Sequence, residues 1–257
     1  MKLYLMQCGV LYSDKGVFVE GCSGKYDVPV PYFLIEHEKG YVLFDSGHNR
    51  NTVENPSTLN QVILESFCPS EIGDGFVLDA LKNAGIKPEE IVYHVCSHLH
   101  FDHAGGIGLF PNATYVVQEE ELRYAHAPND PAMEVVYFNE DFEKDVKWLK
   151  LNGKKDNMYD LFNDGKLIVY HTPGHTPGCQ SLLVNLERDK PMFLAQDACF
   201  TEENLNNLKL PGSVFNATEY INTLKMLKDM QNKGVQIVPG HDPCAWGRLK
   251  KFPEFYS

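Results

Sequence analysis

The sequence has no apolar run of eighteen or more residues, and its basic side chains are few. The lack of such a run argues against a transmembrane helix. The opening residues MKLYLMQCGV carry one Lys and a short apolar segment interrupted by Gln, which predicts a first strand rather than a signal peptide. We therefore expect a cytoplasmic protein without a membrane partner. The net charge of −12 disfavours nucleic acid, whose binding depends on clustered Lys and Arg.

Cysteine pairs with metal-binding or redox spacing are also lacking. The seven cysteines are dispersed and form no CxxC motif, so a secreted disulfide framework is not indicated and most should be free thiols. The chain has no repeat of 20 to 50 residues and no low-complexity linker. Residues 1–257 are therefore predicted to form one domain.

Several segments have clear local patterns. The stretch VPYFLIEHEKGYVLFDSG predicts a hairpin of two apolar strands joined by a polar turn. Helices are predicted at about 75–84, with Gly85 just after the end, and at about 118–126. A further helix is predicted at about 218–231, with Asn216 or Thr218 available as N-cap.

One arrangement recurs four times along the chain: an apolar, strand-like run ends and a side chain able to bind metal follows. It occurs in IVYHVCSHLHFDH, in KLIVYHTPGH, in MFLAQDA and in VQIVPGHD. Strand ends in such a scaffold meet at one edge of a sheet, which holds the side chains rigidly and leaves access for a substrate. We expect these four segments to converge.

The densest of these segments is SHLHFDHAGG, which places His98, His100, Asp102 and His103 within six residues. Spacings of i, i+2 and i+5 share no face of a regular helix, so a strand end that turns into a loop is favoured. Gly105 and Gly106 would supply the backbone freedom for that turn. This concentration of imidazole and carboxylate indicates a metal site.

Three more candidates follow later in the chain, and each alone has an ordinary structural explanation. His175 lies beside Pro-Gly and could be a turn residue. Asp197 could cap a helix that starts near Thr201, and His241 could be a loop histidine. Together with the first segment they make five imidazoles and two carboxylates, a set that suits two divalent ions and needs no thiolate.

These residues resemble a known family. HxHxDH at 98–103, PGH ending at His175, Asp197 and GHD beginning at His241 resemble the metallo-β-lactamase superfamily over essentially the whole chain. SHLHFDHAGG, TPGHTPG and the Ala after Asp197 look most like its N-acyl-homoserine lactonases, the quorum-quenching lactonases. The resemblance implies an α/β fold, a four-layer αββα sandwich with two metals at one edge.

The resemblance also implies a role for each candidate residue. One metal would be held by His98, His100 and His175, the other by Asp102, His103 and His241, with Asp197 bridging them. Asp45 would support the site from behind the ligands. Zinc is the expected metal, with iron, manganese or cobalt as alternatives.

The implied reaction opens the ester ring of a small lactone, with N-acyl-homoserine lactones as the expected substrates. A hydroxide shared by the two metals would attack the carbonyl, and Asp102 or Asp197 would carry the proton to the leaving oxygen. Phe101 and Phe200 are expected to contact the substrate, while Phe18, Phe67 and Tyr137 are either further walls or plain core. The small molecule is the expected partner, and the protein is expected to be a monomer or homodimer.

Two positions depart from the lactonase pattern. Phe200 stands where these lactonases commonly have a tyrosine whose hydroxyl touches the substrate, so that donor is missing. Cys179 stands where a His is frequent and is expected to be an ordinary buried thiol. The polar, aromatic-rich segment between His103 and His175 is expected to cover the pocket.

Three alternatives to this function remain open. A lactonase for a different small lactone would explain Phe200. A thioesterase of the glyoxalase II type shares the HxHxDH core, although the usual helical, basic C-terminal extension is not expected because the chain stops 16 residues after His241. A non-catalytic relative would keep its metals for structure or sensing.

Overall fold

Two mixed β-sheets form the centre of the structure, a computed structural model that describes residues 1–70 and 73–257. The strands are β1 (Lys2–Tyr12), β2 (Val28–His37), β3 (Gly40–Phe44), β4 (Cys68–Ser70), β5 (Ile91–Val95), β6 (Thr114–Gln118), β7 (Trp148–Leu151), β8 (Met158–Asp160), β9 (Leu167–His171), β10 (Gln180–Val184), β11 (Met192–Gln196) and β12 (Gln236–Pro239). Within the described residues, one sheet has the order β4-β1-β2-β3-β5-β6-β7 and the other β12-β11-β10-β9-β8.

Helices flank both sheets. They are α1 (Lys15–Phe18), α2 (Arg50–Glu54), α3 (Gln61–Ser66), α4 (Val77–Asn83), α5 (Phe101–Ala104), α6 (Glu119–Ala125), α7 (Pro131–Glu134), α8 (Asn139–Phe142), α9 (Glu202–Asn207), α10 (Ala217–Asn232) and α11 (Pro243–Gly247). Short 3₁₀ turns occur at Pro56–Thr58 and Pro88–Glu90. Among the described residues, no helix is both long enough and apolar enough to cross a membrane.

The alternation of side chains along the strands separates three apolar cores. Leu182 and Leu194 point toward the other sheet, where they share a core with Leu5 of β1, whereas Phe193 points outward and packs with α10. A third core joins the outer face of the larger sheet to its helices. Successive strand residues face opposite sides, so the order of layers is helix, sheet, sheet, helix. This confirms the expected αββα sandwich.

The local predictions from the sequence compare well with these elements. The hairpin is β2 paired antiparallel with β3, and the first strand is β1. The three predicted helices correspond to α4, α6 and α10, and Asn216 caps α10 by accepting from Thr218 N and Glu219 N. All seven cysteines are among the described residues and all are free thiols.

One prediction about the SHLHFDHAGG segment was wrong in detail. The chain does not run from β5 into a loop through His103, because Phe101–Ala104 form the short helix α5. Gly105 has φ −60°, which any residue adopts, so backbone freedom is not its role. A Cβ on Gly105 would lie 2.2 Å from the backbone nitrogen of Asn49, so this glycine provides space for a close backbone approach.

Candidate metal centre

The four predicted segments meet at one edge of the sandwich. In the larger sheet, β3 and β5 are parallel neighbours, so Asp45 and the segment from Ser97 to His100 leave the sheet side by side. In the smaller sheet, β11 and β12 are also parallel, which brings Asp197 and His241 together. The β9–β10 loop adds His175. Parallel strands place the residues after their carboxyl ends at the same edge, where α/β proteins commonly bind ligands.

Seven side chains from these segments form two adjoining groups of donor atoms. His98, His100, His175 and Asp197 make one group, and Asp102, His103 and His241 make the other. Within each group one donor atom per residue lies within 4.8 Å of the others, and all seven residues are buried. The structure thus brings together every residue that the sequence nominated for metal binding.

Asp197 lies between the two groups and presents one oxygen to each. Its Oδ2 is 3.5 Å from His98 Nε2 and 3.2 Å from His175 Nε2. Its Oδ1 is 3.3 Å from His103 Nε2 and 3.1 Å from His241 Nε2. It is not a helix cap, because Thr201 caps α9 by accepting from Asn204 N. This geometry suits a carboxylate that bridges two ions.

Hydrogen bonds behind the groups orient the imidazoles. Asp45 Oδ2 accepts from Ser97 Oγ and lies 2.8 Å from His103 Nδ1, which leaves His103 Nε2 for the centre. His241 Nδ1 lies 2.8 Å from the carbonyl oxygen of Pro29. A carbonyl only accepts, so Nδ1 carries a proton and Nε2 is the atom that faces Asp197. Such outer partners fix the tautomers of metal-bound histidines.

The donor set fits two divalent cations. His98 Nε2, His103 Nε2 and Asp197 Oδ1 are buried and have no hydrogen-bond partner among the described residues. Buried polar atoms are normally paired, so three orphaned lone-pair atoms that converge on the same space indicate a missing positive partner. Imidazole and carboxylate are the donors that such ions accept. The fold and these clusters together support a dinuclear metal site.

The pKa shifts differ between the two donor groups. The histidines of the first group are neutral and ready to bind a metal, whereas Asp102 and His103 of the second group stabilise each other's charged forms. Burial lowers the pKa of His98 and His100, and it lowers the pKa of His175 to about 4, so these imidazoles are neutral at pH 7. Burial opposes ionisation of Asp102, but His103 outweighs it and the pKa of Asp102 is lowered to about 2. The pKa of His103 is raised because Asp102 and Asp197 outweigh its burial. Protons and cations therefore compete for this second group.

A cavity of about 430 Å³ opens over the two groups. His100, Asp102, His175, Asp197 and His241 reach its base. Its walls are largely apolar and are formed by Leu11, Val17, Phe18, Val62, Phe67, Phe101, Ala132, Met133, Val136 and Phe200. The segment between His103 and His175 was expected to cover the pocket, and three of its residues, Ala132, Met133 and Val136, line the cavity. Tyr137 does not line the cavity but packs on His100, with ring centroids 4.5 Å apart.

The residues at the two departures from the family pattern lie in different surroundings. The Phe200 ring is at the mouth of the centre, 5.1 Å from the His175 ring and 5.6 Å from the His241 ring, so it is a wall of the cavity. Phe101 also lines the cavity and stacks on Phe138 at 5.1 Å. Cys179 is fully buried, as expected for a packing thiol.

Two polar residues around the centre were not predicted from the sequence. Gln196 donates to Asp45 and has a left-handed φ of 47°, which is uncommon for a residue other than glycine. Glu121 is fully buried and contacts the loops that carry the histidines. Its signal was available, because Glu121 shares a helix face with Tyr124 and Ala125, and a carboxylate on an otherwise buried face needs partners.

Many known proteins are similar to this chain in sequence or in fold. Residues 26–241 match the family model of the metallo-beta-lactamase superfamily. An N-acyl homoserine lactonase, AttM, from Rhizobium radiobacter is 38% identical, covering 100% of this chain and 99% of the relative. An N-acyl homoserine lactonase from Bacillus cereus is 32% identical, covering 99% of this chain and 98% of the relative.

Solved structures of lactonases are similar in fold. A crystal structure of Bacillus thuringiensis AiiA with N-decanoyl-L-homoserine at its active site has a TM-score of 0.87 and 28% identity, covering 99% of this chain and 98% of that chain. An N-acyl homoserine lactone hydrolase with N-hexanoyl-L-homoserine at its catalytic metal centre has the same TM-score, identity and coverage.

Proposed function

This chain belongs to the metallo-beta-lactamase superfamily and, within it, to the N-acyl homoserine lactonases, and on that premise we propose that it hydrolyses the ester ring of N-acyl homoserine lactones. The observation that carries the proposal is Asp197, whose two oxygens face two separate groups of donors at the base of an apolar cavity. A metal-dependent hydrolase acting on a carboxylic ester is the activity that this arrangement supports best.

We propose that the ligands are those that the sequence nominates, and that zinc is the metal. His98, His100 and His175 would hold one ion, Asp102, His103 and His241 would hold the other, and Asp197 would contribute to both. Two such ions supply an acidified water at neutral pH and an electrophilic contact for the ester carbonyl. Asp45 keeps His103 in the tautomer that presents Nε2.

The chain's own residues then orient the lactone and move one proton. The Asp102 carboxylate lines the cavity beside the donor groups. It is the group placed to take a proton from the attacking water and return it to the leaving oxygen. Phe101, Met133 and Val136 offer an apolar wall for an acyl chain. Phe200 has no hydroxyl, so it shapes the cavity and donates no hydrogen bond.

We propose that residues 1–257 form one catalytic domain. Support comes from the core between the sheets, in which Leu5 and Val42 of the larger sheet pack with Leu182 and Leu194 of the smaller one. The ligands are drawn from both sheets. Neither sheet alone would carry both donor groups.

The test is ring opening by purified protein loaded with two equivalents of zinc. We expect N-hexanoyl-homoserine lactone to be converted to N-hexanoyl-homoserine, with one proton released per lactone opened. An Asp197→Asn variant, which removes the negative charge and replaces one of the two facing oxygens by an NH₂ group, is the matched inactive control. A fully loaded protein that leaves short- and long-chain lactones intact but cleaves a glutathione thioester would replace this function with the thioesterase alternative.

A further inference from the structure

Glu121, on α6, is a buried carboxylate with no role in the function proposed above. Its side chain is 0% exposed, and within residues 1–70 and 73–257 it forms no ion pair with a basic side chain. It instead accepts four hydrogen bonds, two on each oxygen. A buried carboxylate is costly unless several donors surround it, so this arrangement has to be assembled by the fold.

The four donors belong to three separate segments that border the metal centre. Leu99 N donates to Oε1 over 3.1 Å, and Leu99 stands between His98 and His100. Thr176 Oγ1 donates to Oε2 over 2.6 Å, and Thr176 directly follows His175. Glu121 therefore holds both of the loops that supply the three histidines of the first donor group, His98, His100 and His175. We call this part of the centre the three-histidine half.

The remaining donors extend the same contacts. Gly178 N donates to Oε2 over 3.2 Å, and a Cβ on Gly178 would lie 2.4 Å from both Cβ and N of Glu121. The β9–β10 loop is therefore in direct backbone contact with α6, and only glycine permits this approach. The carboxylate and the glycine fix the same distance between helix and loop by independent means.

The fourth donor joins the cavity wall to the centre. Tyr137 Oη donates to Oε1 over 2.9 Å, while the Tyr137 ring packs on His100. The backbone around Tyr137 is also paired with the histidine loop, since Phe101 N donates to Val136 O over 2.9 Å. Val136 is itself a wall of the cavity.

We propose that Glu121 is a positioning residue that holds His98, His100 and His175 in ligand geometry and ties the Val136–Tyr137 wall to them. The other half of the centre does not depend on Glu121, because no donor to Glu121 lies beside Asp102 or His241. Asp45 contacts His103 and Gln196 there, and it reaches His98 as well through Ser97. The proposal rests on the metal centre of the proposed function. Its consequence is that loss of Glu121 weakens one metal site selectively.

The experiment compares Glu121→Gln with Glu119→Gln, the same change at an exposed position of the same helix. In Glu121→Gln, one of the two oxygens becomes an NH₂ group that faces two of the four donors. Each oxygen of Glu121 accepts from one backbone N–H, Leu99 N on Oε1 and Gly178 N on Oε2, and a backbone N–H cannot act as an acceptor. One hydrogen bond is therefore lost in either orientation of the amide. Release of zinc to a competing chelator is followed in the folded, metal-loaded proteins. His175→Ala and His241→Ala identify which release step belongs to which half.

We expect Glu121→Gln to bind the metal of the three-histidine half about 10- to 100-fold more weakly, as loss of outer partners does at other sites. The other release step and the Glu119→Gln protein should match the wild type. Unchanged release of both metals with a lower melting temperature would show a merely structural role and overturn the proposal. Equal weakening of both metals would overturn it as well.

Two further variants keep the proposal testable if Glu121→Gln fails to fold. Thr176→Val removes one donor at nearly constant shape, and it should weaken the same release step several-fold. Tyr137→Phe frees the wall and should raise KM for a lactone more than it lowers kcat. Zinc release needs no lactone, so an inactive protein that still shows selective release would contradict the proposed substrate and leave the role of Glu121 supported.

Discussion

The ring of Phe200 lies against His175 and His241 in the cavity wall, and it has no hydroxyl to offer the reacting oxygens. A single preorganised donor to the reacting oxygens is worth about 10²–10³ in rate. We expect Phe200→Tyr to raise kcat at least tenfold with unchanged metal content, measured by steady-state lactone hydrolysis. Phe67→Tyr, a hydroxyl added elsewhere on the wall, is the control and should leave kcat unchanged. An unchanged or lower kcat for Phe200→Tyr would contradict this expectation, because a hydroxyl at that position would then give the reacting oxygens no useful donor.

Asp141, on α8, makes stability depend on pH. Burial raises its pKa to about 7, although Asn49 donates a hydrogen bond to it. Between about pH 4 and 7 the carboxyl ionises in the unfolded chain and stays protonated in the folded one, so stability falls as pH rises through this window. Each pH unit there costs about 1.4 kcal/mol.

Asp141→Asn removes this titration and keeps an acceptor for Asn49. Above pH 7 we expect the variant to be more stable than the wild type by on the order of 4 kcal/mol, with the difference shrinking toward zero near pH 4. Urea unfolding at several pH values measures it, and Glu134→Gln, at an exposed position of α7, is the control. A difference that does not vary with pH would refute the assignment.

Among the elements, the short helix α5 carries both Asp102 and His103. Gly105, directly after α5, allows the helix to pack closely on the loop after β3. Gly105 N donates to Gly47 O over 2.9 Å, and a Cβ on Gly105 would lie 2.3 Å from the carbonyl carbon of His48. Gly105→Ala must therefore push the helix away from the loop after β3. Overpacking of this kind costs about 1–3 kcal/mol or more.

We expect Gly105→Ala to lower the free energy of unfolding in urea by at least about 1–3 kcal/mol. The variant should also bind the metal held by Asp102, His103 and His241 more weakly. Gly247→Ala is the matched control, since nothing lies within 4 Å of an added Cβ there. That control should be neutral or slightly stabilising, because alanine favours helix more than glycine does. Equal stability of the two variants would show that the contact at Gly105 adapts freely.

Local patterns predicted the elements whose structure depends on their own sequence. α10 has an apolar face and a good cap at Asn216, and the β2–β3 hairpin has neighbouring strands joined by a short turn. The short helix α5 was missed because its four residues owe their conformation to contacts with Gly47 and Val136. Glu121 was missed because its four donors come from three other segments, and no window of sequence contains them.

In the whole molecule, one apolar core holds the two sheets together and two others pack helices on their outer faces. The metal centre uses residues from both sheets. The histidines and aspartates were predictable because each lies in a segment that follows an apolar strand. Parallel neighbours such as β3 with β5 and β11 with β12 carry these segments to one edge. The order of the strands and the shape of the cavity were not predictable, since they depend on pairing between distant segments.

The central claim is that two cations, gathered by seven side chains with Asp197 between them, are required for lactone opening. The most direct measurement is titration of metal-free protein with zinc while the initial rate of N-hexanoyl-homoserine lactone hydrolysis is followed. We expect a negligible rate without metal and a plateau at about two equivalents per chain. Full activity in metal-free protein, or a plateau at one equivalent, would contradict it.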